Sequence, residues 1–210
     1  MRVPHLGFVL AVAVAACGRP RTQPAPVGGA LPMLRQEIAV RMAADQAIQR
    51  QMAQLIASGQ SGIAQRDSVF RDNLDWMRAV LAKHGWPGRH LVGEEGSHGA
   101  WLLLQHADQD SALQRNALRL LERAVQVGDA AGADLAYLTD RMRVAAGQLQ
   151  VYGTQLQYDA RGCASPRPSE EPALLARRRA AVDLMPVDEY VSSTMTALGR
   201  AAQCAQPPNP

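Results

Sequence analysis

SALQRNALRLLERAVQV, residues 111–127, is the stretch that decides the fold. Leu113, Ala117, Leu120, Leu121 and Ala124 recur at three- and four-residue intervals, so all five share one helical face. Asp108 or Asp110 stands where an N-cap belongs, and Gly128 stands where a helix ends. Beyond it, residues 133–150 read as a second helix. Leu135, Leu138, Met142 and Ala146 form one face of it, and Tyr137, Asp140 and Val144 the other. Content on both faces places that helix at the centre of a bundle.

The same periodicity extends towards both ends. Residues 33–58 form a helix whose apolar stripe holds Ile38, Met42, Ile48, Met52 and Leu55. Asp45 falls within that stripe, where a carboxylate is costly unless paired. Residues 67–84 carry Val69, Phe70, Leu74, Met77, Val80 and Leu81, and end at Gly85-Trp86-Pro87-Gly88. Residues 97–107 form a short apolar helix through Trp101, Leu102, Leu103 and Leu104. Two last helices cover 173–182 and 187–202, with 162–172 a loop between them and the preceding helix. Hydrophobic residues make up 47% of the chain, enough for a core, and β-branched residues are few. The expectation is an all-α single compact domain of about five to seven helices over 33–204. No internal repeat interrupts it.

Before that domain, a short basic start and an apolar run, Leu6 to Ala16, have the layout of a secretory signal. The run is too short to cross ~30 Å of hydrocarbon. Val14-Ala15-Ala16-Cys17 resembles the bacterial lipobox, which implies cleavage after residue 16 and acylation of Cys17. Residues 1–16 are then a signal peptide, and 17–32, rich in Pro and Gly, a flexible tether. The implied location is the cell envelope, anchored to the membrane by lipid. Gly18 is not the aspartate that retains such proteins at the inner membrane of enteric bacteria, which favours the outer membrane, facing the periplasm. With Cys17 committed to lipid, Cys163 and Cys204 remain as either a disulfide, favoured by an oxidising compartment, or two free thiols. Residues 205–210 form a Pro-rich tail expected to be disordered. Net charge is +3, and no basic cluster exceeds Arg177-Arg178-Arg179, so no nucleic-acid partner is expected.

Four polar clusters stand out: Gly85-Trp86-Pro87, Gln105-His106-Ala107-Asp108, Asp140-Arg141 within a helix, and Tyr152-Gly153-Thr154-Gln155. In this order, with Asp45-Gln46 upstream and Arg178-Arg179 and Tyr190 downstream, they resemble the bacterial DUF 6624 family, a domain of unknown function. The resemblance spans most of the domain. It implies a helical fold and a shared polar site, and carries no activity with it.

Each cluster has a functional and an architectural reading. His106 can be a general base, a ligand or a hydrogen-bonded core residue, with Gln105 beside it to orient a substrate. Asp108 is first of all an N-cap. His84, His98 and His106 offer three imidazoles for a metal, but no His-x-x-x-His or Cys-x-x-Cys spacing supports one, so neither metal nor cofactor is expected. Trp86, between helix breakers, is a candidate ligand wall. Asp140 either pairs with Arg143 on the surface or faces a pocket beside Tyr137. Tyr152, Thr154 and Gln155 offer groups that orient a ligand. No nucleophile elbow and no phosphate loop is present. The expected function is binding of a small molecule, peptide or envelope polymer in a polar pocket drawn from Trp86, Gln105, His106, Asp140, Arg141, Tyr152, Thr154 and Gln155. The alternative is a hydrolase in which His106 is the base, oriented by Asp45 or Asp140 through a contact of ~3.2 Å or less.

Overall fold

The structure, a computed structural model, describes residues 29–58, 63–108 and 110–204. The signal segment, Cys17, residues 18–28 of the tether and the tail at 205–210 lie outside the described residues. Eight α-helices and one small hairpin make up the described chain: α1 (Pro32–Ala57), α2 (Ile63–His84), α3 (Arg89–Gln105), α4 (Ser111–Gln126), α5 (Gly132–Ala145), β1 (Leu156–Tyr158), β2 (Ala164–Pro166), α6 (Leu175–Ala181), α7 (Val187–Ala197) and α8 (Ala201–Cys204). The domain is all-α in class.

The central helix is α3, not the 133–150 helix. It packs on α1, α2, α4 and α5, and every residue from Gly99 to Gln105 is buried. It is also longer than expected, because it begins at Arg89. One turn forms, Gly93 breaks it with a left-handed φ of 76° and ψ of 175°, and the helix resumes. Only glycine takes that conformation without strain, so the polar run at 93–96 concealed the helix. Gly99 has a different task. A Cβ there would stand 2.7 Å from Ile38 Cγ2, so its absence lets α1 lie close on α3.

The core gathers Ile38 from α1, Leu74, Met77 and Leu81 from α2, Leu103 and Leu104 from α3, Ala117 and Leu121 from α4, and Leu138 from α5. Asp110, not Asp108, caps α4: its Oδ1 accepts from Leu113 N at 2.8 Å. Helix α5 stops at Ala145, short of Gln150, because Gly147 turns the chain with φ 72°. Residues 29–31 are packed rather than free, since Ala30 and Leu31 donate to the carbonyls of His90 and Leu91 at 3.0 and 2.8 Å.

After α5 the chain leaves the bundle. The 162–172 loop expected from sequence contains β2, antiparallel to β1 with Gln157 opposite Ser165. Three-residue strands are too short to show alternation in a sequence. Helix α7 packs on β2. A disulfide between Cys163 and Cys204 ties the hairpin to the C-terminal turn, α8.

Candidate functional site

Asp140 sits on α5 with no solvent exposure. Its Oδ1 accepts from Val151 N at 2.7 Å and Tyr152 N at 3.0 Å. Its Oδ2 accepts from Tyr152 N at 3.2 Å, Thr154 N at 2.9 Å and Thr154 Oγ1 at 2.9 Å. Gln150 completes the knot: its Oε1 accepts from Gln155 N at 2.8 Å and its Nε2 donates to the carbonyls of Arg167 and Gln155 at 2.6 and 3.2 Å. Asp140, Thr154 and Gln155 do converge, but on one another. Their polar atoms satisfy a loop that would otherwise bury orphaned N–H groups. Asp140 therefore neither pairs with Arg143 nor faces a pocket.

Gln105, also buried, faces two donors, Trp101 Nε1 at 2.7 Å and Leu138 N at 3.1 Å, so its amide is assigned with the oxygen towards them, which fastens α3 to α5. Trp86 is 5% exposed and donates from Nε1 to Ser97 Oγ at 3.1 Å. It is a core residue and not a ligand wall. Arg141 turns away from Asp140 and grips both oxygens of Asp108 through one guanidinium edge, Nε to Oδ1 at 2.7 Å and Nη2 to Oδ2. That pair occupies the carboxylate expected to cap α4.

His106 closes α3 and meets α1. Its Nδ1 lies 2.9 Å from Asp45 Oδ2, with both side chains buried. Gln49 Nε2, one turn along α1 from Asp45, is 3.3 Å from His106 Nε2. An amide donor on Nε2 assigns the proton of a neutral ring to Nδ1, facing the carboxylate. Phe70 stacks on the ring at 4.9 Å and 9°. The contact sought for a base oriented by Asp45 is present, while both ring nitrogens and one ring face are occupied. Asp140 has no part in it, since its oxygens are committed to the 151–154 loop.

The histidines do not gather. His98 stands eight residues before His106, about 12 Å along the helix axis at ~1.5 Å per residue. It has its own carboxylate, Asp134 Oδ1, at 2.9 Å from Nδ1. His90 likewise meets Asp129 at 2.6 Å. Among the described residues, no three His, Cys, Asp or Glu side chains converge as metal ligands.

The His98–Asp134 pair lies on a cleft of about 230 Å³ lined by Arg89, Glu94, Glu95, Ser97, His98, Ala131 and Asp134. The N-terminal half of α3 forms one side and the start of α5 the other. Asp134 sits in the first turn of α5, where the helix dipole favours a carboxylate. Its hydrogen bond holds His98 above the ordinary imidazole value. Burial, outweighing that bond, holds Asp134 above the ordinary carboxylate value. Trp101 stacks on His98 at 4.8 Å. Arg89 is spent on Gly128 O at 3.0 Å and Glu94 at 3.3 Å. None of the residues expected to line a pocket lines this one. Its sequence signal was the spacing of Glu94, Glu95 and His98, at i, i+1 and i+4, which puts acid and imidazole on one helical face. Asp134 had no such signal, because only the packing of α5 on α3 brings it there.

A family described as a family of unknown function (DUF6624) matches residues 32–202, and the chain belongs to it. No curated protein and no solved structure matches.

Proposed function

We propose that this is a lipid-anchored envelope protein that binds the amine-bearing end of a small molecule, peptide or envelope polymer in the His98–Asp134 cleft. The carrying observation is the cleft's charge. Glu94, Glu95 and Asp134 face Arg89 and His98, and Arg89 is already bound to Glu94. The surplus is acidic. A volume of about 230 Å³ suits a terminal group rather than a whole drug-sized ligand, for which ~300–1,000 Å³ is usual. An ammonium group brings three donors, which Asp134 and Glu95 can accept.

The test is calorimetric titration of the full chain with the dipeptide glycyl-lysine and with its fully N-acetylated form. The amine is expected to bind and the acetylated peptide to bind at least tenfold more weakly, with Asp134→Asn and Glu95→Gln each weakening the amine. Equal affinities for the two peptides overturn the reading. The membrane part rests on residues 6–17. Incorporation of labelled palmitate that Cys17→Ala does not abolish overturns it.

The Asp45–His106 contact favours a second reading, a hydrolase with His106 as base. Catalysis there requires Gln49 to leave Nε2, so Gln49→Ala is expected to raise reactivity of His106 towards diethyl pyrocarbonate. An unreactive His106 in that variant rejects it.

A further inference from the structure

Arg179 is the largest fully buried side chain among the described residues, at 1% exposure. Three of its contacts are to carbonyls: Nε to Met185 O at 2.7 Å, and Nη1 to Tyr152 O at 2.6 Å and Gly153 O at 3.3 Å. Its Nη2 is buried with no hydrogen-bond partner. Among the described residues, no carboxylate lies within ion-pair distance of it. A guanidinium removed from water without a counter-ion costs several kcal/mol, on the order known for other buried charges.

What surrounds it is suited to an anion. The Tyr190 ring lies under the guanidinium at 5.4 Å. Tyr137 packs edge-on against Tyr190, the ring centroids 6.1 Å apart. Tyr190 Oη also donates to Thr154 O at 3.1 Å. The carboxylate whose charge reaches Arg179 is that of Asp140, and its oxygens are already taken up by the 151–154 loop. Burial holds both tyrosines above the ordinary phenol value, so both remain O–H donors at neutral pH. Neither tyrosine is fully buried.

We propose that Arg179 anchors a second binding site, for a small oxyanion, which opens when the Tyr137–Tyr190 contact parts. The anion takes the two free N–H groups of Nη2 and the hydroxyl of Tyr137, which gives a carboxylate or phosphate oxygen charge-assisted donors. Trp101, stacked on His98 and edge-on to Tyr137 at 5.8 Å, stands between this site and the cleft. This proposal does not rest on the amine reading.

The experiment is thermal unfolding of the full chain with inorganic phosphate or acetate, raised from 0 to ~50 mM at constant ionic strength set by sodium chloride. A saturable rise in Tm is expected with at least one of the two. A response to phosphate alone assigns a phosphate ligand, and one to acetate alone a carboxylate. Arg179→Lys removes Nη2 and is expected to abolish the rise. Because that variant also loses carbonyl contacts and can fail to fold, Tyr137→Phe serves as the second variant. It leaves every bond of Arg179 in place and is expected to weaken half-saturation at least threefold. No saturable rise with either anion, or an unchanged response in Tyr137→Phe, overturns the proposal.

Discussion

Exchanging Asp140 for asparagine removes one acceptor from the most heavily bonded side chain in the domain. If the amide oxygen keeps the Oδ1 position, it still receives Val151 N and Tyr152 N. The new NH₂ then faces Thr154 N at 2.9 Å, donor against donor. Thr154 Oγ1 can rotate to accept, but the backbone N–H cannot. One buried N–H left unsatisfied costs about 1–3 kcal/mol, and loss of the charge on the remaining bonds adds to it. The expected destabilisation is about 3 kcal/mol. For a domain of this size, ~2–4 °C per kcal/mol gives a fall in Tm of about 6–12 °C. Thermal and urea unfolding followed by circular dichroism at the helical band reads the change, and amide exchange at Val151 and Thr154 locates it. Asp108→Asn is the control. Its pair with Arg141 has a carboxylate side chain 57% exposed, and exposed pairs contribute under ~1 kcal/mol. A loss below ~1 kcal/mol for Asp140→Asn, or one equal to that of Asp108→Asn, refutes the clamp.

Three further outcomes are expected. Reduction of the Cys163–Cys204 bridge, which closes a separation of 41 residues, lowers stability by up to about 4 kcal/mol on chain-entropy grounds; an unchanged urea midpoint after reduction contradicts it. Gly93→Ala meets no atom within 4 Å, so its cost is the backbone strain alone, about 1–3 kcal/mol for a conformation essentially confined to glycine, and a neutral result denies the break in α3. His98 has a raised value in the fold, so its charged pair with Asp134 stabilises fully below about pH 6.5, the unfolded imidazole value, and is lost as pH rises through the higher folded value. The Tm gap between wild type and His98→Gln should therefore shrink as pH rises above about 6.5; a gap that widens there reverses the sign.

Much of the framework was legible because helix signals are local. The stripe at 113–124, the stop at Gly128 and the break at Gly85–Gly88 each depend on neighbours a few residues away. Asp45 also stood out, since a carboxylate in an apolar stripe demands a partner, and that partner is His106. Misreadings arose where local and distant demands differ. Residues 89–96 looked too polar and glycine-rich for a helix, yet Gly93 accommodates the break and Gly96 and Ser97 are buried. Asp108 has the right residue type for a cap, but Arg141, 33 residues away, takes it.

The candidate site divides along the same line. Sequence alone determined the helical class, the succession of helices, the family and the set of polar residues that the interior has to satisfy, because period, caps and motif order are written in consecutive residues. Only the tertiary structure decided what those residues do. Asp140, Thr154, Gln155, Gln105 and Trp86 are engaged with other buried side chains or with backbone, since a buried polar group takes whichever partner the packing brings. The cleft arises instead where α5 delivers Asp134 to His98, and the unpaired edge of Arg179 arises where α6 meets the 152–153 carbonyls. Both depend on contacts between segments tens of residues apart, for which a linear pattern carries no sign.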